Sequence, residues 1–209
     1  MSHEDDDVPA ASSHNPFEGV PDSVVDLCSS LTDFVERAIG IRPDYTAETL
    51  PLVDHYIRES RPVVAARPEV TDLTAQAIGA YFGEVVRRSL VGFWRIPSPN
   101  YHDWQVCGSA AFVSFNPIGI GYDALTDGQT HEGPSSQFKV APEDVRGVAD
   151  RLALLPPLPE DEYFLLSTRH EVLEIVYEAV RSHAMQLGYD ETFYSEEDYA
   201  APVRPLDAF

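Results

Sequence analysis

One short segment of the chain combines two aromatic side chains, an imidazole and a carboxylate. It consists of Tyr101, His102, Asp103 and Trp104. It follows the turn-rich run Pro97-Ser98-Pro99-Asn100, so we predict a loop between two strands. Aromatic rings bury much area for little lost conformational freedom, and a neighbouring histidine and aspartate add polar specificity. We therefore predict a partner-binding loop. The alternative is that Trp104 begins the next strand and packs inside.

Glu84 interrupts an otherwise apolar helical segment. One interpretation is a carboxylate buried beside Trp94 or His55 that acts as a base or a ligand. The other is a salt bridge within the helix, because Arg87 and Arg88 follow at three and four residues in the favourable acid-first order. At 100° per residue, Glu84 and Arg88 fall on the side away from the apolar stripe. This placement favours the salt bridge.

His170 and Glu174 are four residues apart and share one face of a predicted helix. Two ligands at this spacing can begin a metal site, but further ligands must come from elsewhere. The string from His170 to Glu174 ends in glutamate, so it is not the HExxH pattern. The alternative is an ordinary role for His170 in the first turn of the helix.

Motifs for nucleotide binding and for nucleophilic catalysis are absent: the sequence has no GxGxxG, no GxxxxGK[ST] and no GxSxG. Cys28 lies on an apolar helical stripe and Cys107 in an apolar strand, so neither is expected to be an activated nucleophile. The two cysteines also lack the spacing of a zinc site or a redox pair. We predict no cofactor and no metal.

The chain carries 35 acidic against 14 basic residues, a net charge of −21. Such a charge repels phosphate backbones and anionic lipids, so nucleic-acid and membrane partners are not expected. It suits plain solubility or a basic protein partner. No apolar run approaches the roughly 18 residues of a membrane span, and the N-terminus has no apolar signal segment. We expect a cytoplasmic protein.

Apolar periodicity places helices before and after a group of short strands. The first predicted helix has an apolar stripe over 24–38, with Asp22 as the N-cap and Gly40 at its end. The other predicted helices cover 50–60, 72–90, 142–154 and 168–187, and the predicted strands cover 93–96 and 105–115. Residues 118–125 are expected to form another strand or an irregular segment. Gly79 and Gly83 lie on the apolar side of the third helix, where another element should approach its backbone closely. A capping box of Thr168 and Glu171 should open the last helix.

Helices and strands that come in separate runs indicate an α+β fold. We predict N-terminal helices, a small and mostly antiparallel sheet, and C-terminal helices around one core. Residues 1–20 should form a disordered acidic arm, residues 21–188 a single domain, and residues 189–209 an acidic, aromatic tail that is partly packed.

Three segments carry a resemblance to a known group of proteins. They are TLPLVDHYI (Thr49 to Ile57), AIGAYFGEVVRR with the GFW that closes that helix, and LSTRHEVLEIVYEAV (Leu166 to Val180). They resemble an uncharacterised family of small acidic bacterial proteins from actinobacteria and myxobacteria with a GAYFGEV-type helix. The resemblance brings no catalytic residues with it.

Two functions remain open. The first is a non-enzymatic binding module for a protein partner, similar in role to an immunity protein or an inhibitor, which uses the loop from Tyr101 to Trp104. The second is a hydrolase or a metal-dependent enzyme that uses Glu84, or His170 with Glu174. A concave site in which these groups converge would favour the enzyme.

Overall fold

Three helices precede an antiparallel sheet, and three more follow or interrupt it. The computed structural model of the chain describes residues 17–129, 133–159, 161–189 and 191–200. The helices are α1 (Asp22–Ile39), α2 (Leu50–Ala66), α3 (Thr71–Ser89), α4 (Pro117–Thr126), α5 (Val145–Leu152) and α6 (Leu166–Gln186). The strands are β1 (Gly92–Arg95), β2 (Gln105–Gly108), β3 (Val113–Phe115) and β4 (Lys139–Val140). The predicted α+β fold is confirmed.

The sheet is a meander in the order β1-β2-β3-β4, and every pair is antiparallel. The predicted single strand over 105–115 is wrong, because the chain turns back between β2 and β3. Gly108 sits at this turn, where an added Cβ would lie 2.6 Å from the Ala111 carbonyl oxygen. Among the described residues, no helix is long and apolar enough to cross a membrane.

Residues 117–126 form a helix rather than the predicted strand or irregular segment. Asn116 caps α4, since its side-chain oxygen accepts from the backbone N–H groups of Ile118 and Gly119 at 2.9 and 3.1 Å. Pro117 occupies the first turn, where its missing N–H is no loss. Residues 118–125 are nearly all buried, so they show none of the polar side by which an amphipathic helix is recognised.

Glycines set the crossing of α3 and α4. An added Cβ on Gly121 would lie 2.6 Å from the Gly79 nitrogen, and one on Gly79 would lie 2.6 Å from the Ile118 Cα. A Cβ on Gly83 would instead meet the indole of Trp94, at 2.7 Å from Cζ2. The expected close approach to α3 is therefore present, and α4 is the element that makes it.

The N-terminus of α6 is capped by a residue from another helix. Asp54 of α2 accepts from the backbone N–H groups of Leu166 and Ser167 at 2.7 and 3.1 Å, and from the Ser167 hydroxyl at 2.6 Å. The predicted capping box is wrong, because Thr168 and Glu171 already lie inside the helix. The cap satisfies N–H groups that a helix start leaves without intrahelical partners.

The ordered body begins earlier than the predicted arm boundary at residue 20. Phe17 makes an edge contact with Tyr45 at 5.2 Å between ring centroids, and the Arg88 guanidinium lies 5.0 Å from the Phe17 ring. Val20 also packs against the core. Residues 17–20 thus pack against the body and are not part of a disordered arm, and residues 1–16 lie outside the described residues.

The tail crosses the turn between β2 and β3. Tyr199 is 4% exposed, and its hydroxyl lies 2.8 Å from the Gly108 carbonyl oxygen and 3.1 Å from the Val113 amide nitrogen. Its ring stacks on Phe112 at 4.4 Å. Phe193, by contrast, is 74% exposed. The packed part of the tail is thus centred on Tyr199, and residues 201–209 lie outside the described residues.

Candidate functional site

The loop from Tyr101 to Trp104 is built around a core residue. Trp104 is 2% exposed, packs edge-on to Trp94 at 6.3 Å, and donates its indole N–H to the Ser98 carbonyl at 3.2 Å. Tyr101 is half-buried against the Trp104 ring at 4.7 Å. The prediction that Trp104 contacts a partner is therefore wrong, because nearly all of its side chain is buried inside the fold.

The exposed part of this loop is His102 and Asp103. The Asp103 carboxylate accepts from the Ser98 hydroxyl at 2.7 Å, and the Asn116 amide donates to the Tyr101 and His102 carbonyls at 2.7 and 3.2 Å. These bonds hold the loop rigid, but they leave only a small polar surface without an aromatic anchor. As a partner contact, the loop stays a prediction that now rests on His102 and Asp103.

Glu84 is fully buried on α3, so its position away from the apolar stripe does not expose it to solvent. It does form the salt bridges expected from the sequence: Arg87 donates twice at 2.8 Å and Arg88 once at 2.7 Å. The Trp94 indole donates a further bond at 3.2 Å. Burial raises the pKa of Glu84, but the two guanidinium groups and the indole outweigh it and leave the pKa below its ordinary value.

This environment makes Glu84 a poor general base. A carboxylate that is ionised, buried and saturated by three donor side chains has neither a raised pKa nor a free lone pair directed at a substrate. Its bonds fasten the end of α3 to β1. The structure therefore assigns Glu84 a stabilising role.

His170 joins a different cluster, at the C-terminal end of α3. Its side chain is 4% exposed, Nε2 lies 3.0 Å from the Ser89 hydroxyl, and Nδ1 lies 3.6 Å from a Glu174 carboxylate oxygen. Burial lowers the pKa of His170, although Glu174, Glu171 and Glu48 act in the opposite direction. The imidazole is thus held neutral between a hydroxyl and a carboxylate.

Ser89 was not singled out by the sequence. It is exposed and stands two residues before Val91, which adopts a positive φ of 51°. A β-branched residue in this region is strained, and such strain is concentrated at functional sites and tight turns. The strained residue lies in the short connection between α3 and β1. No local signal connects Ser89 to His170, because they are 81 residues apart.

The described residues contain no group of three or more histidine, cysteine, aspartate or glutamate side chains that could hold a metal ion. His170 and Glu174 thus lack a third ligand within the described part of the chain. Burial raises the pKa of Cys107 to about 12 and also raises that of Cys28, so both thiols stay protonated near neutral pH.

A second polar pair lies where α5 meets the end of α6. His183 Nδ1 is 2.6 Å from an Asp144 carboxylate oxygen, and the side chains are 39% and 10% exposed. The pair borders an open cleft of about 380 Å³ that Glu143, Arg146 and Ser182 also line. Asp144 fixes the imidazole so that Nε2 is left for solvent or a ligand.

Several exposed apolar side chains follow directly along the chain. Four side chains within nine residues are exposed, and we call them the C-terminal apolar patch: Met185 at 56%, Leu187 at 57%, Tyr189 at 61% and Phe193 at 74%. The sequence held a signal for it, namely aromatic residues in an acidic segment. The predicted partial packing of the tail holds for Tyr194 and Tyr199 but not for Phe193.

Comparison with models of protein families finds no matching family, and neither curated proteins nor solved structures give a match. The resemblance to an uncharacterised bacterial family stays a prediction. Evidence for the function therefore comes from the side chains described above.

Proposed function

We propose that this chain is a non-enzymatic, cytoplasmic binding module that engages a basic protein partner in the manner of an immunity protein or an inhibitor. The observation that supports it is the excess of carboxylates that stays exposed on the folded chain. Asp54, Glu84 and Asp144 are the buried acidic residues of the described chain, and every other described acid retains exposure.

Several arginines, by contrast, are used inside the fold. Arg169 is 8% exposed, with its guanidinium 4.6 Å from the Phe138 ring and a bond of 2.7 Å to the Ser136 carbonyl. Arg61 donates to the Ala124 carbonyl at 2.9 Å. Arg87 and Arg88 are bound to Glu84. Among the described residues, folding buries three acids but one arginine outright, so the surface keeps the carboxylate excess of the composition, and such a surface attracts a basic partner and suppresses acidic ones.

The test is affinity capture from a lysate of the source organism at sodium chloride concentrations raised in steps. We expect one basic protein in a stoichiometric amount, released as the salt concentration rises, because screening weakens charge attraction. The control bait is an unrelated protein of the same net charge. Recovery of the same proteins on both baits, or of a partner whose release does not depend on salt, contradicts the proposal.

A second candidate function is ester hydrolysis at Ser89, and the contact that favours it is the 3.0 Å approach of Ser89 Oγ to His170 Nε2. A serine next to a neutral imidazole that faces a carboxylate is the arrangement of an activated nucleophile. Here His170 would take the serine proton as Oγ attacks the ester carbonyl carbon. It would then return the proton to the departing alkoxide, and water deprotonated by the same imidazole would cleave the acyl ester on Oγ and restore Ser89. Glu174, at 3.6 Å, would hold the imidazolium.

A fluorophosphonate probe tests this second candidate, with intact-protein mass as the measurement. Hydrolysis requires an adduct on wild type that is absent from Ser89→Ala and much slower on His170→Gln. Because burial lowers the pKa of His170, labelling should persist below the ordinary histidine pKa of 6.5. Equal labelling of wild type and Ser89→Ala, or none at all, removes the candidate and leaves the binding proposal untouched.

A further inference from the structure

We propose that the C-terminal apolar patch is the docking surface for the basic partner, and that the partner presents apolar side chains flanked by lysine or arginine. This inference rests on the proposed function and adds the site and the chemistry of the contact. The patch is formed by Met185, Leu187, Tyr189 and Phe193.

The patch is held in place by its own backbone. Gly188, with a φ of +81°, ends α6 in a turn in which its N–H donates to the Met185 carbonyl at 3.1 Å. The Tyr189 N–H donates to the Ala184 carbonyl at 2.9 Å, and the Thr192 N–H donates to the Tyr189 carbonyl at 3.1 Å. A surface that is already ordered loses little freedom on binding, which favours affinity.

The patch is also anchored on its far side. The Tyr194 N–H donates to the Ser109 carbonyl at 2.7 Å, and its ring contacts Phe112 at 5.2 Å. Tyr194 follows Phe193 directly, so the exposed phenyl ring is fixed next to a packed residue. The segment therefore exposes Phe193 while its neighbour is bound to the sheet.

The charge around the patch identifies the partner. Of the described residues in 181–200, Glu191, Glu196, Glu197 and Asp198 are exposed acids, and Arg181 is an exposed base. Glu143 and Asp144 lie close enough to Tyr194 to raise its pKa, although burial raises it more. An apolar centre in a segment with more carboxylates than bases resembles the apolar core and polar rim of protein interfaces, with a rim that selects positive charge.

A comparison within the chain separates this patch from other exposed apolar residues. Leu154 and Leu158 are 80% and 42% exposed, and their segment is acidic as well, since Glu160, Asp161 and Glu162 lie within four residues of Leu158 in the sequence. The charge of this second surface is therefore comparable. It lacks an exposed aromatic anchor, which interfaces favour at their energetic centre. It provides the matched control.

The experiment uses two labelled probe peptides of equal charge. One is an amphipathic helix of leucine and lysine, and the other has serine in place of leucine. Fluorescence anisotropy at 150 mM salt measures their affinity for the full chain, for Met185→Ser/Tyr189→Ser/Phe193→Ser, and for the control Leu154→Ser/Leu158→Ser. We expect wild type and control to prefer the leucine peptide at least tenfold. The patch variant should lose that preference and keep its salt-dependent binding of the serine peptide.

Each other outcome overturns the inference. Equal affinity for both peptides, or an unchanged preference in the patch variant, removes the docking surface while the binding function stands. If neither peptide binds even at low salt, the proposed function fails as well. A dimer that sedimentation velocity detects in wild type but not in the patch variant assigns the patch to a second copy of the chain. Tenfold tighter binding after truncation behind Ala200 assigns it to the chain's own last residues.

Discussion

The buried side of α3 and the C-terminal end of α6 use their side chains in opposite ways. On α3, charged residues are drawn inside and bound by the fold, as Glu84 is by Arg87, Arg88 and Trp94. At the end of α6, apolar residues are left outside among carboxylates. Residues that look chemically active in the sequence are thus structural in the first region. In the second region, residues that look structural are the ones left exposed.

The largest expected effect lies on α3. Glu84→Ala leaves two half-buried guanidinium groups without their carboxylate, so the free energy of unfolding should fall by about 3–5 kcal/mol. Chemical denaturation measures it. The comparison is Arg42→Ala, which removes a pair with Asp33 and Glu36 in which all three side chains are about half exposed. That variant should leave the free energy of unfolding nearly unchanged, because water and salt screen an exposed ion pair. Similar losses for both would contradict the structural role of Glu84.

The crossing of α3 and α4 should be nearly as sensitive. Gly121→Val places a side chain against the backbone of α3 near Gly79, which cannot move aside cheaply, so we expect a loss of about 1–3 kcal/mol or more. Gly147 on α5 has open space around its Cβ position. Gly147→Ala should therefore stabilise the protein by about 0.5–1 kcal/mol through helix propensity. Equal melting temperatures for the two variants would contradict the close crossing of α3 and α4.

Asp54 tests whether a polar residue of α2 governs the start of α6. Asp54→Ala removes the acceptors of three bonds and should cost about 1–2 kcal/mol, whereas Asp54→Asn retains one acceptor and should cost less. Burial raises the pKa of Asp54. The folded state therefore binds its proton more tightly than the unfolded state, and this contribution to stability falls as the pH rises above 3.8.

That pH dependence can be isolated by subtraction. The stability of wild type relative to Asp54→Asn should decrease as the pH rises from 3.8 through the folded pKa of the carboxyl group. Urea titrations at several pH values measure the difference. A relative stability that increases over this window would show that the carboxylate is better stabilised at the cap than in water.

The smallest effect is expected at the C-terminal apolar patch. Met185→Ser/Tyr189→Ser/Phe193→Ser changes exposed side chains, so the free energy of unfolding should stay within about 0.5 kcal/mol of wild type. The variant should nevertheless lose partner binding, which no α3 variant should do while it remains folded. A large loss of stability would mean that these residues support the end of α6, and the contrast between the two regions would disappear.

Local patterns predicted the helices and the fold class well. Repeats of apolar residues at three and four positions identified α1, α3 and α6, since that period is a property of the helix itself. Gly79 and Gly83 lower the helix propensity of α3, and this likewise predicted that another element packs closely against it. The helix α4 was missed, because a helix that is buried on nearly all sides shows no polar face.

The sites were predicted less well for a related reason. Trp104 is equally suited by type to a loop surface and to a core, and only its packing against Trp94 and Tyr101 decides between them. The predicted position of Glu84 rests on its angle from a single apolar stripe of α3. However, α3 is surrounded on several sides, so a position away from that stripe is buried as well.

By itself, the sequence determined the period of the helices, the excess of carboxylates and the presence of aromatic residues in the tail. These are properties of single residues and of their spacing. The tertiary structure alone decided that Asp54 caps a helix that begins 112 residues later, that Ser89 meets His170, and that Tyr199 is buried while Phe193 is exposed. These outcomes depend on which elements pack together, and residues distant in sequence carry no local signal of their contact.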